Sequence, residues 1–123
     1  MRRWGLPMPS TSATLADARR LSAEGRFHAA ASVLLEAFRT QPEDAEIARE
    51  LGITMRASGD LDSAIDYLER AYNVEPTNPR TVAELVLSFH AAHRHGSASR
   101  VLIRSLERGL RSEELADHLR DAA

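Results

Sequence analysis

The chain has 123 residues, no cysteine, 43% hydrophobic residues and a formal net charge of −2. This length suits a single domain, the missing cysteines exclude disulfides, thiolate chemistry and cysteine-ligated zinc, and the lack of a basic surplus argues against nucleic acid or an acidic membrane as partner. All sixteen basic residues are Arg, which removes Schiff-base and phosphate-loop lysine chemistry and fits the Arg-rich codon usage of a GC-rich bacterial genome.

Residues 1–12 read as a disordered leader, because Gly5, Pro7 and Pro9 are followed by Ser10, Thr11 and Ser12 without apolar periodicity. Arg2 and Arg3 precede no apolar run, so neither a signal peptide nor a membrane span is written there, and the cytoplasm is the expected location. The lone Trp4 reads as a mobile tail residue, with docking on a neighbouring copy as the alternative that would make the protein self-associate.

Helical pattern follows. Leu15, Ala18 and Leu21, then Phe27, Ala30, Leu34, Ala37 and Phe38, recur at three- and four-residue steps on either side of Gly25. Gly25 suits the left-handed residue that ends a first helix, and Pro42 stops the second. A second hairpin repeats the scheme: Ile47, Leu51 and Met55 precede Gly59, Leu61, Ala64, Ile65, Leu68 and Ala71 follow it, and Pro76 closes the unit. Asp44 and Asp60 are its N-cap residues, each offering a carboxylate to the unpaired backbone N–H groups of the next turn.

Asn78 followed by Pro79 opens a third hairpin, an N-cap with Pro at the first helical position. Val82, Leu85, Val86 and Phe89 lie on its first helix, and Ala98, Leu102 and Leu106 on its second. Register places His93 where Gly25 and Gly59 stand, and the nearby glycine is Gly96, so this turn is expected to be two or three residues longer or differently shaped. After Gly109, Ser112 as N-cap, Glu113 and Glu114 in the first turn, and Leu115 with Leu119 on one face announce a short capping helix.

The three hairpins are in phase. Ala30, Ala64 and Ala98 stand 34 residues apart, each followed four places later by Leu34, Leu68 or Leu102, which is the mark of stacked helical repeats. The small residues belong where two helices cross closely. In the second unit Leu51-Gly52, Ala64, Ala71 and Pro76 stand at the Leu-Gly, Ala, small-residue and Pro sites of the tetratricopeptide repeat, with Met55 at its Tyr site and Leu68 at its Phe site, nearly a full match, and the chain resembles that family over about residues 11–110. Ala18, Leu21, Ala30, Leu34, Ala37 and Pro42 carry the resemblance in the first unit. Val86, Phe89, Ala98, Leu102 and Ser105 carry it in the third, which lacks both the turn Gly and the closing Pro.

The resemblance implies an all-α, right-handed α-solenoid of three helix-turn-helix repeats, at about 11–44, 45–78 and 79–111, with a capping helix at 112–121, the whole forming one domain from residue 13 to 123. It also implies a concave groove lined by the first helix of each repeat. Carried over by phase, that groove holds Ser12, Leu15, Arg19 and Ser22, then Glu46, Arg49, Ile53 and Arg56, then Arg80, Ala83, Leu87 and His90. Arg forks between apolar side chains suit an acidic or carboxylate-ended peptide, while Glu46, Glu50 and Glu84 lie close enough to cancel much of the positive potential. The clamp with which some family members hold chaperone C-termini needs Lys and Asn on these helices, and they are absent.

Other chemistry is thinly supported. His90, His93 and His95 cluster at the irregular turn, yet a helix C-terminus favours His without a metal and no Asp, Glu or Cys completes a ligand set nearby, so no metal and no cofactor is expected. Asp60, Asp62 and Asp66 sit where negative charge suits a helix start, not as a catalytic pair, and the expected protein is no enzyme. The expectation is therefore a non-catalytic adaptor that binds a peptide or helix of another protein. The alternative is a dedicated chaperone or assembly subunit that masks an apolar helix of a secretion, pilus or motility component, using Ile53 and Leu87 more than Arg.

Overall fold

The computed structural model describes residues 11–122. Two helices build each of three hairpins: α1 (Thr11–Ala23) with α2 (Phe27–Thr40), α3 (Ala45–Ala57) with α4 (Leu61–Val74), and α5 (Pro79–Ala91) with α6 (His95–Glu107). A last helix, α7 (Ser112–Ala122), follows, and no strand occurs among the described residues. The fold is an all-α solenoid of three hairpins and a cap. Thr11 and Ser12, expected in the leader, already form the first turn of α1, while Trp4 and the rest of the leader lie outside the described residues.

Two kinds of turn alternate along the chain. Within hairpins, α1 and α3 end on Gly25 and Gly59 with φ of +78° and +93°. There the N–H of Arg26 reaches the Leu21 carbonyl at 2.9 Å and the N–H of Asp60 reaches Met55 at 2.9 Å, satisfying carbonyls the helix end leaves open. Between hairpins, Gln41-Pro42 and Glu75-Pro76 open tight turns in which Asp44 donates its N–H to Gln41 and Asn78 to Glu75. The residues that close those turns then cap the next helix: Asp44 accepts from the Ile47 N–H at 3.0 Å, and Asn78 from those of Arg80 and Thr81. Asp60 caps α4 through Ser63, and hydrogen bonds from the Ser63 side chain and then its backbone hold that carboxyl below its usual range.

The third hairpin corrects the sequence reading. Its turn is no longer than the others: Arg94 donates to the Phe89 carbonyl at 2.8 Å, and His93 takes the glycine's place at φ +60°. The backbone bonds are strong enough to hold a side chain in the left-handed region, where His is tolerated better than most residues. Gly96 lies inside α6, where a Cβ would meet nothing. Ser112 is not an N-cap either. The Leu115 N–H bonds to the Arg111 carbonyl, which places Ser112 one step inside α7.

Helices cross closely because small residues meet. Ala30 and Ala64 are fully buried and Ala98 nearly so, and at Gly52 an added Cβ would lie 2.5 Å from Leu68 Cγ and 3.1 Å from the Ala64 carbonyl. The interior is built of successive clusters, one with Leu15, Leu21, Leu34 and Leu51, a small one with Ala45, Ala48 and Ala71, and one with Leu68, Val82, Leu85, Phe89, Leu110 and Leu115. The cap departs from the repeat. The chain leaves α6 by the within-hairpin turn, with Gly109 at φ +105° and Leu110 donating to Ser105, and α7 then packs on α5. Leu106, expected in the core, is consequently 44% exposed beside Ile103.

Two outcomes test this packing. Gly52→Ala should lower stability by about 1–3 kcal/mol in chemical denaturation, although Ala is the better helix former, because Leu68 and the α4 backbone must give way. His93→Gly should raise it by about 0.5–1 kcal/mol by relieving the left-handed backbone.

Candidate functional site

The odd-numbered helices lie side by side, α1 against α3 and α3 against α5, so the residues expected in the groove do share one side of the molecule. They do not share one exposure. Leu15, Arg49 and Ala83 are buried at 2%, 7% and 0% exposure and belong to the interior, which corrects their assignment as groove-lining residues. Leu15 joins the first core cluster, with Leu21, Ala30, Leu34 and Leu51, and Ala83 the last, with Val82, Leu110 and Leu115. Arg19, Glu46 and His90 are exposed, and Ser22, Ile53, Arg56, Arg80 and Leu87 are partly so.

Carboxylates occupy the four arginines. Glu50 Oε2 accepts from Arg19 of α1 and lies 3.2 Å from Arg80 of α5, so one buried carboxylate on the central helix ties its two neighbours. The hydrogen bond to Glu50, followed by the attraction of Glu50 and Glu46, raises the Arg19 pKa above its ordinary value. Arg56 pairs with Glu84, which is itself buried. Arg49 donates to the Thr81 hydroxyl at 3.2 Å and lies 3.7 Å from Glu75. Such pairs are shielded from solvent on one partner, and removing either member strands a charge.

This ladder was half legible in the sequence. Glu50 and Glu84 stand 34 residues apart, in phase with the apolar core, and that phase was the available signal that they bridge helices instead of facing solvent. Thr81 was missed entirely, since a lone Thr in an apolar helix reads as a neutral surface residue. What the face leaves open is Ile53 and Leu87, with Ser22 and His90 at the margins and matched ion pairs between them.

At the corner after α5, the Nδ1 atoms of His90 and His95 are 3.0 Å apart, and the His93 ring stands 6.1 Å from that of His95. Among the described residues no group of three His, Asp or Glu side chains converges on a point that would hold a metal ion. No helix there is long and apolar enough to cross a membrane.

No protein-family model matches the chain, and no curated protein matches it. Solved structures do. An R50E mutant of MamA superposes with a TM-score of 0.68 at 18% identity, covering 78% of this chain and 70% of that one. MamA residues 41 to the end from Desulfovibrio magneticus RS-1 gives 0.71 at 19% identity over 78% of this chain and 54% of that one. MamA AMB-1 gives 0.69 at 18% over 85% and 58%. The chain thus spans little more than half the length of two of these three, and what it shares with them is the helical-repeat fold.

The ladder has a measurable weight. Glu50→Ala should cost about 2 kcal/mol in denaturant unfolding, since two guanidinium groups lose their common acceptor at a buried position. Glu46→Ala, at a half-exposed partner of Arg19, should cost at most about 0.5 kcal/mol.

Proposed function

We propose that the protein is a non-catalytic interaction module of tetratricopeptide type, acting in the cytoplasm, whose face across α1, α3 and α5 takes up a peptide or helix of a partner protein. The observation that supports this reading is the division of labour on that face: the charges are matched within the chain, and the apolar side chains are not. Arg19, Arg56 and Arg80 already hold Glu50 and Glu84, so a partner's carboxylate would have to displace an internal one.

Ile53 and Leu87, partly exposed and in phase on adjacent helices, offer anchor points that no internal group competes for. An amphipathic helix with apolar residues at three- and four-residue steps meets those requirements. The same observation favours the assembly-chaperone version of the activity, in which the bound segment is an apolar helix kept from aggregating, over capture of an acidic peptide on this face.

The test is affinity capture from the native host with the full chain as bait, followed by mass spectrometry. The partner recovered should remain bound through a high-salt wash, because apolar contact is not screened. It should be lost, by tenfold or more, from the double variant Ile53→Asp, Leu87→Asp. A partner released by salt and indifferent to those two substitutions would defeat the proposal.

A further inference from the structure

A second cleft lies among α4, α5 and α6. It encloses about 390 Å³ and is lined by Glu69 and Tyr72 of α4, Leu85 and Phe89 of α5, and Arg94, Arg100, Val101 and Arg104 around and on α6. None of its three arginines forms an ion pair with any described residue. Arg94 lies over the Phe89 ring at 4.9 Å, Arg100 donates to the Ser97 hydroxyl at 3.2 Å, and Glu69 lines the same cleft without pairing to any of them. The Tyr72 hydroxyl is buried and has no hydrogen-bond partner. A buried hydroxyl left unpaired is costly, and it marks a place where a ligand acceptor would be welcome.

The repeat supplies an internal control. Shifted by 34 residues, the positions of Arg94, Arg100 and Arg104 become Asp60, Asp66 and Arg70, and those of Val101 and Tyr72 become Tyr67 and Phe38. At those earlier positions Tyr67 and Phe38 meet edge to face at 5.5 Å, and Arg70 lies over both rings, so large side chains pack together there. In the later cleft a Val stands where the Tyr ring would be, which opens the cavity, and two Asp are replaced by Arg, which reverses its charge. One of these replacements works against the fold. Asp60 caps α4, whereas Arg94 precedes α6 with no side-chain cap and brings a positive charge to the positive end of the helix.

We infer that the cleft among α4, α5 and α6 is a binding site for an acidic peptide segment of a partner protein. Arg100 and Arg104 are one turn apart, about 6 Å along the axis, which matches carboxylates at adjacent sites of such a segment, and each guanidinium can grip one with two hydrogen bonds. Leu85, Phe89 and Val101 provide an apolar floor for a side chain between them. The net charge of −2 makes nucleic acid a poor alternative. This site is independent of the face across α1, α3 and α5, and each can fail without the other.

The experiment is fluorescence anisotropy of a labelled peptide of six Glu interrupted by one Leu, titrated with the full chain at low and high salt. A peptide of the same design with Lys for Glu serves as control, and inorganic phosphate as competitor. Binding should be seen for the acidic peptide alone, and should weaken at least tenfold at high salt. It should also weaken at least tenfold in Arg100→Glu, Arg104→Glu, whose two positions are exposed and whose fold circular dichroism would verify. A second variant, Val101→Tyr, fills the cavity while keeping every charge, and should also abolish binding. Equal binding by the charge-reversed variant, absence of binding by the acidic peptide, or full competition by millimolar phosphate, the mark of a simple anion site, would each overturn the inference.

Discussion

Every helix in this molecule is positioned by how the backbone leaves the one before it. After α1, α3 and α5, where a left-handed residue lets two N–H groups turn back onto the helix end, the chain reverses and the next helix packs on its predecessor. Where Pro follows the helix and Asp or Asn closes a tight turn, the chain steps to a new hairpin. Alternating these two exits makes a solenoid. After α6 the alternation lapses: it is followed by Gly109 and Leu110 and not by Pro, and α7 folds back over α5.

The packing that follows from this scheme also shapes the surface chemistry. Because α1, α3 and α5 run side by side, carboxylates at equivalent positions of α3 and α5 fall between neighbouring helices, where they pair with arginines of an adjacent odd-numbered helix. Those pairs hold repeats together and in doing so withdraw three cations, Arg19, Arg56 and Arg80, from any ligand. Among the described residues the arginines that form no ion pair are Arg94, Arg100, Arg104 and Arg108 around and on α6, with Arg70 on α4. The molecule thus separates a face that is electrically closed and apolar at two points from a cleft that is electrically open.

Most of the fold was legible in the sequence, since period, caps and breakers are local signals that a 34-residue repeat restates three times. The exceptions have physical reasons. His93 could be mistaken for a disturbed turn because a residue type was trusted over register, while the backbone hydrogen bonds were indifferent to the side chain. Leu106 was read as core because its helix has the right pattern, but burial needs a neighbour, and the neighbour went to α5. The groove was less legible than the fold. Leu15, Arg49 and Ala83 share a helical stripe with exposed residues, yet the packing of the next hairpin decides which positions along a stripe reach solvent, and no single helix encodes that.

The diversion of α7 has a consequence for how the chain stores its stability. With α4 and α6 on its flanks and α7 across it, α5 is buried at Thr81 through Val86 and again at Ser88 and Phe89, whereas α1 buries three residues. The central α3 buries as many residues as α5, so in an array whose units lean only on their neighbours the packing is densest in the interior repeats. The helices with partners on both sides, α3 and α5, therefore hold the larger share of the interior, and α1 the smaller. A cavity opened in α3 or α5 is felt by the hairpins on both sides, whereas one opened in α1 is felt by its own hairpin and α3.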